Sequence, residues 1–402
     1  MTDVRPRYLV MVTASANNNK YYKQIPHGDS WTAEYGRVGS SPQRREYPMS
    51  QWESKYREKI RKGYVDQTDL VSDLIIEENT SSEFKEIENR AIAKIVDRLQ
   101  RMAKQTISKN YNISSDKVTQ AMVDEAQECI NGLLKIKDLD HFNTSLLNLF
   151  TVIPRKMGNV KGYLANSESD FSNIIQKEQD LLDVMKGQVH QKETIKQSNN
   201  IKCCNKTILD SLGLVFDECD DNDIIIIKEC LGLCSNQFLN AWKVTNLKTD
   251  QKFSQFVKEN NILDTRLLFH GSRNENWWSI INTGLVLRPT NAVITGKMFG
   301  YGLYYAPNAK KSLGYTSLQG SYWAKGSAKT GFMALMEVAY GTPYDVYAFD
   351  KKYYNFNFKE LQKVLPGATC LHAHAGTMLK NDEIIVYKED QCTIRYLIEL
   401  KN

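Results

Sequence analysis

Side-chain periodicity changes character twice along this chain, and a sequence that switches period in this way has to fold as separate structural modules. Residues 7 to about 48 form short strand-like runs, Arg7–Thr13, Lys20–Pro26, Ser30–Val38 and Arg45–Pro48. Asn17-Asn18-Asn19, His27-Gly28-Asp29 and Gly39-Ser40-Ser41-Pro42 break them, which predicts a small antiparallel sheet. A helix is expected over residues 51–62, where Trp52, Tyr56 and Ile60 recur every fourth residue and Gly63 is placed to end it.

The acidic, polar stretch from Asp66 to Ser82 reads as a connection, after which the period becomes helical. Ala91, Ile92, Ile95, Val96, Leu99 and Met102 mark one amphipathic helix. Val118, Met122, Val123, Ala126 and Ile130 mark a second, with Ser115 near its start, and Leu146–Phe150 and Ile174–Met185 continue the series. Pro154 and Gly158 interrupt it, so residues 83 to 190 read as a helical bundle with no chemistry-bearing motif. Beyond about residue 200 the pattern turns to runs rich in β-branched and aromatic residues: Ala241–Val244, Arg266–His270, Gly302–Tyr305, Gly331–Tyr340, Glu383–Tyr387 and Thr393–Leu400. They predict an antiparallel or mixed sheet with few long helices, and the fold class is multidomain α+β.

Length and composition agree with modules, since 402 residues correspond to two to four domains at about 100–200 residues each. Hydrophobic residues at 42% and charged residues at 25% exclude wholesale disorder. The most apolar run, Ile224 to Ile227, is bracketed by Asp223 and Lys228 and is far below the roughly 20 residues of a membrane helix. The N-terminal residues carry no secretory pattern, so an intracellular protein without a membrane partner is expected. The eight cysteines read as reduced thiols; Cys203, Cys204, Cys219, Cys230 and Cys234 cluster, but adjacent cysteines and a lone C-x-x-x-C without a nearby histidine make a poor tetrahedral set. No metal is expected. Residues 1–70 hold 12 Lys+Arg against 8 Asp+Glu, four of the five net positive charges, which suits a polyanionic partner and equally a solvated face.

Three stretches of the last third bear chemistry. His270-Gly271-Ser272 follows the apolar Leu267-Leu268-Phe269, so a histidine and a hydroxyl stand at a strand end. Glycines 296, 300 and 302 lie in Thr295–Tyr305 and permit close backbone approach, while Tyr304 and Tyr315 offer flat faces to an aromatic ring. Asn381-Asp382-Glu383 sets a carboxylate at the entrance to Ile384-Ile385-Val386-Tyr387. Taken singly, each has an ordinary reading: a loop, strand packing, a solvated acid.

Together they resemble the ADP-ribosyltransferase domain of the poly(ADP-ribose) polymerases, whose signature is a His, a Tyr and a Glu on separate strands. The matching residues are His270 in Leu-Leu-Phe-His-Gly-Ser-Arg, Tyr304 in Phe-Gly-Tyr-Gly-Leu-Tyr-Tyr-Ala and Glu383 in Asn-Asp-Glu-Ile-Ile-Val-Tyr. Tyr35-Gly36-Arg37-Val38-Gly39, with the helix containing Lys55-Tyr56-Arg57-Glu58-Lys59, resembles a WGR nucleic-acid-binding domain. The bundle, particularly Phe150-Thr-Val-Ile-Pro154, resembles the helical regulatory domain of the same family. The implied division is a WGR domain at 1–70, a linker at 71–82, a helical regulatory domain at 83–190 and a catalytic domain of mixed or antiparallel sheet at 200–402.

The resemblance implies a DNA-dependent enzyme that transfers ADP-ribose from NAD+, its substrate, to proteins including itself. It further implies chain elongation and a role in the DNA-damage response. Catalytic roles fall to His270, Tyr304 and Glu383. Gly271 and Ser312 are implied to hold the nicotinamide carboxamide, Tyr315 to stack on its ring, and Ser272, Asn276 and Lys311 to complete the NAD+ site. Arg37, Lys55, Lys59 and Lys62 are implied to meet the phosphates of DNA ends or nicks, with Trp52 in the core of the small domain. A monomer is expected, in the nucleus of a eukaryote or the cytoplasm and nucleoid of a bacterium. Departures from the family pattern are Val286, with Arg288 two positions on, where an arginine is common; Lys297, where an aromatic residue is common; and Tyr35 in place of the signature tryptophan. Glu77 and Glu78 offer automodification sites. A mono-ADP-ribosyltransferase acting on protein or nucleic-acid ends, and a catalytically weak DNA-binding scaffold, stand as the alternatives.

Overall fold

The computed structural model describes residues 4–71, 84–111, 118–198, 206–287, 298–318, 328–376 and 379–402. Glu77, Glu78, Ser115, Cys203, Cys204, Arg288, residues 295–297 and nearly all of the 71–82 connection lie outside them. The chain divides into two compact units, Met1–Ser81 with Lys104–Val189, and Ser82–Ala103 with His190–Asn402.

The first unit opens with strands β1 (Arg7–Thr13), β2 (Asn18–His27), β3 (Ser30–Arg37) and β4 (Gln43–Pro48). Helix α1 (Trp52–Arg61), strand β5 (Val65–Asp66) and helix α2 (Thr68–Val71) follow. The sheet order is β4-β3-β2-β1-β5, antiparallel throughout, with Leu9 opposite Tyr22 and Tyr22 opposite Tyr35. Gly28 supplies the turn between β2 and β3 at φ +70°, a region that other residues enter at a cost. Leu9, Tyr22, Trp31, Ala33 and Trp52 make the core. Trp31 stacks on Tyr47 at 4.9 Å and meets the edge of Trp52 at 5.5 Å, so Trp52 is core as its spacing implies.

Four helices carry the period expected of the middle region: α3 (Arg90–Asn110), α4 (Gln120–Leu133), α5 (Leu139–Val152) and α6 (Phe171–Ser198). Thr119 caps α4 by accepting from the Met122 amide, and Asp138 caps α5 by accepting from the His141 amide. Met122, Val123, Ala126 and Ile130 of α4 and Phe142, Leu146 and Phe150 of α5 are buried, and the two helices pack on one another as a hairpin. Past α5 the chain leaves the helical path before Pro154, and Arg155 pairs with Glu178 of α6 in the interior. Burial pushes the Glu178 carboxyl up, against the pull of the Arg155 charge.

The second unit adds α7 (Ile208–Leu212), β6 (Leu214–Glu218), α8 (Asp221–Leu231), β7 (Phe238–Asn246), α9 (Leu247–Glu259), β8 (Thr265–Gly271) and α10 (Trp277–Thr283). Then come β9 (Leu303–Tyr305), α11 (Ala309–Leu313), β10 (Thr330–Ala339), β11 (Pro343–Val346), α12 (Phe358–Val364), β12 (Cys370–Ala373), β13 (Glu383–Val386) and β14 (Cys392–Lys401). One sheet has the order β6-β7-β14-β10-β8 and is antiparallel; the other, β11-β12-β13-β9, is mixed because β11 runs parallel to β12. The first half of α3 belongs to this unit, where Arg98 reaches Glu399 of β14 at 2.6 Å and Thr330 of β10 at 2.8 Å. The six described cysteines are free thiols.

Candidate active site

Phe269 and Ala306 exchange both backbone hydrogen bonds, at 2.8 and 3.0 Å, and so join the two sheets of the second unit. The residues of the three sequence motifs gather at this seam. His270, next along β8, lies with Nδ1 3.1 Å from the carbonyl oxygen of Tyr304 in β9. A carbonyl only accepts, so the contact assigns a proton to Nδ1.

Gly271 sits against Ser312 of α11 so closely that a Cβ at residue 271 would overlap the Ser312 carbonyl. Ser312 is buried, and its hydroxyl donates to the Phe269 carbonyl at 3.1 Å. Gly271 and Ser312 therefore share one wall. One residue earlier on α11, Lys311 forms an ion pair with Glu383, the first residue of β13. Only 17% and 12% of these two side chains remain exposed, so the pair works in a less screened medium than a surface contact.

β13 places its neighbours by register: Ile384 faces Tyr305 and Ile385 faces Tyr304. The Tyr304 hydroxyl donates to the Gly300 carbonyl at 3.1 Å and accepts from the Phe299 amide at 3.0 Å. Burial holds its acidity far below that of a free phenol. Tyr315 is pushed up to about 12, by burial first and then by the Glu383 charge. Both are neutral at physiological pH. Asn276 donates to the Ser272 hydroxyl at 3.1 Å, and its Oδ1 is buried without a hydrogen-bond partner among the described residues, which leaves an acceptor unfilled. Val286 is half-buried; Lys297 is outside the described residues.

The four basic residues expected to meet DNA lie in the first unit, and the structure gives each a protein partner. Lys55 and Lys62 both reach Glu58, at 3.0 and 2.6 Å, and hydrogen bonds from Lys62 and Lys55 bring its carboxyl down to about 2. Lys59 stands over the ring of Tyr22 at 4.4 Å, with Tyr64 and Tyr35 at 5.5 and 5.9 Å, and burial lowers its pKa. Arg37 donates to the carbonyls of Asn17, Met157 and Gly158 at 2.9, 3.0 and 2.7 Å. Tyr35, in the signature position, packs on Tyr22 at 6.0 Å. The carbonyl acceptors of Arg37 belong to loops, and no sequence motif marks them.

The sequence model of the poly(ADP-ribose) polymerase catalytic domain matches residues 232–402, and that of the WGR domain matches residues 5–70. Two proteins of Invertebrate iridescent virus 6 are similar: uncharacterized protein 101L, 33% identical over 48% of this chain and 80% of its own length, and 100L, named poly(ADP-ribose) polymerase-like, 32% identical over 45% of this chain and 95% of its own length. The chain belongs to the poly(ADP-ribose) polymerase family. Poly(ADP-ribose) polymerase 2 of Arabidopsis thaliana is 31% identical over 37% of this chain and 25% of its own length. As a member of this polymerase family the protein is an NAD+ ADP-ribosyltransferase, with NAD+ as its substrate and a nucleic-acid-binding WGR domain. Among the described residues no helix is long and apolar enough to cross a membrane.

Proposed function

We propose that this transferase is a DNA-dependent poly(ADP-ribose) polymerase that modifies proteins, itself among them, and elongates the chains in response to DNA damage. The observation that carries the reading is Glu383, a mostly shielded carboxylate at the same seam as His270 and Tyr304. In the reaction the bond between C1′ of the ribose and nicotinamide breaks, its electron pair leaves with the nicotinamide, and positive charge grows on the ribose. Glu383 stabilises that charge through the 2′-hydroxyl and accepts the proton of the incoming acceptor hydroxyl as the new C1′–O bond forms. Gly271 and Ser312 hold the carboxamide, Tyr315 and Tyr304 flank the ring, and His270, Ser272 and Asn276 hold the adenosine side. Lys311 keeps Glu383 aimed through their ion pair.

DNA dependence rests on the WGR domain and on the family order of parts, with the helical residues 83–190 restraining the NAD+ site until DNA shifts the equilibrium. The protein works at DNA inside the cell as a monomer. Purified protein is incubated with labelled NAD+, with and without nicked or blunt DNA, beside Glu383→Gln. A DNA-stimulated, protease-sensitive smear that the variant lacks is expected. A single sharp product would replace this reading by mono-ADP-ribosylation, and no label in any lane would replace it by a binding scaffold. Deleting residues 83–190 raises the DNA-independent rate; an unchanged rate in a folded deletion protein would remove the regulatory part of the reading.

A further inference from the structure

A second cluster of ligand-bearing side chains lies on the mixed sheet, apart from the seam. We propose that Asp345, His372 and His374 bind one divalent transition-metal ion, with zinc as the reference ion. Parallel pairing of β11 with β12 sets Asp345 opposite His372, so both side chains leave the same face. His374 follows two residues on and returns to that face. Its Nε2 lies 2.7 Å from Asp345 Oδ1, the His372 Nδ1 lies 3.9 Å from the same oxygen, and one ligand atom from each residue falls within 4.8 Å of the others. Bonds of about 2.0–2.2 Å in tetrahedral geometry put zinc ligands roughly 3.3 Å apart, between the two separations found here.

Features around the cluster set it apart from a chance meeting of polar groups. His372 Nε2 is 3.1 Å from Asp382 Oδ2, and a carboxylate partner there places the proton on Nε2 and leaves Nδ1 as the nitrogen with a lone pair to offer a metal. That is the outer carboxylate which metal-bound histidines use to fix tautomer and basicity. Asp382 is itself anchored, accepting from the Ala375 amide at 2.7 Å. The two imidazoles stack at 3.9 Å, and Tyr347 stacks on His374 at 4.4 Å, so both rings are held in orientation. The Tyr340 hydroxyl, 2.7 Å from His372 Nδ1, occupies the rim and has to turn aside as the metal arrives. Asp345 is exposed and gives an entry path, while His372 is buried. Two imidazole nitrogens select a transition ion over magnesium or calcium, which prefer oxygen ligands.

The test uses the full chain after chelator treatment. Zinc is titrated against a chromophoric chelator into the wild type and into Asp345→Asn/His374→Ala, which alters the less buried ligands and leaves the cysteines in place. The wild type is expected to bind one equivalent more than the double variant, and zinc is expected to raise its melting temperature alone. Asp382→Asn should weaken that equivalent by about 10–100-fold. Cobalt should give visible d–d absorption in the wild type that the double variant lacks. Equal stoichiometry and affinity in wild type and double variant, with both folded by circular dichroism, would overturn the assignment.

Discussion

Lys311 meets Glu383 at the entrance to β13, and the pair is largely shielded from water. An ammonium beside the carboxylate fixes its position, which suits a group that has to meet the ribose 2′-hydroxyl. Glu383→Gln is expected to lower chain elongation by about 10²–10⁴-fold, the range for a lost general base. Lys311→Met should cost less, because it removes the ammonium that positions Glu383 and keeps the carboxylate itself. Initial rates of the two variants at saturating NAD+ give the comparison.

Gly271→Ala tests the shared wall. The new methyl meets the backbone carbonyl of Ser312, which cannot swing away as a side-chain tip would. A loss of about 1–3 kcal/mol is expected in denaturant unfolding, as in other overpacked interiors, together with weaker NAD+ binding by calorimetry.

The Arg155–Glu178 pair sits among Tyr111, Phe150 and Tyr163, with the guanidinium 5.0 to 5.9 Å from their ring centres. Glu178→Gln strands a buried cation and should cost about 3–5 kcal/mol, whereas replacing both residues with apolar ones of similar volume should cost less. Chemical denaturation of the two variants gives the comparison.

Burial raises the pKa values of Tyr22, Tyr111, Tyr304, Tyr305 and Tyr387, and brings those of Tyr315 and Tyr396 to about 12. Unfolded tyrosine gives up its proton near pH 10. Between pH 10 and 12 the folded chain therefore binds more protons than the unfolded one, and stability falls as pH rises. Thermal melts from pH 8 to 11.5 should show a plateau and then a steady decline, with tyrosinate absorbance appearing only as the fold is lost.

Glu58 draws Lys55 and Lys62 together on α1. Removing its charge in Glu58→Gln should free both ammonium groups, raise affinity for a DNA duplex several-fold at low salt and steepen the salt dependence. Fluorescence anisotropy at two salt concentrations measures this.

Much of this fold could be read from period alone where local preference and burial agree. Arg7–Thr13 is a strand at its expected bounds, because Tyr8, Leu9, Val10 and Val12 are buried and Asn17 turns the chain back at φ 48°. The same holds for the strands that carry His270 and Glu383, whose apolar runs end at polar motif residues. Ile224 to Ile227 form part of α8 although isoleucine favours strands, since Asp220 and Asp223 cap the helix start reciprocally. α6 runs well past the stripe Ile174–Met185, where Gln191 is buried as it accepts from the Trp278 indole, a contact that a hydrophobic pattern does not register. His372 and His374 form no sequence motif for a related reason: their partner Asp345 is 27 residues upstream of His372, and only the parallel pairing of β11 and β12 brings it alongside. Arg37 is legible as a basic residue at a signature position, but the carbonyls of Met157 and Gly158 that hold it are backbone atoms and leave no trace in side-chain identity.

That hold on Arg37 makes two occupancies rivals. A guanidinium has five N–H donors, and three carbonyls already draw on them. Were a phosphate to take the Nη2 donors of Arg37, the Met157 and Gly158 carbonyls would lose theirs, and a change that strengthens those two bonds would weaken that contact, since linkage between two sites is reciprocal. Substitutions at Met157 and Gly158, far in sequence from any basic residue of α1, would thereby set the DNA concentration at which the protein responds.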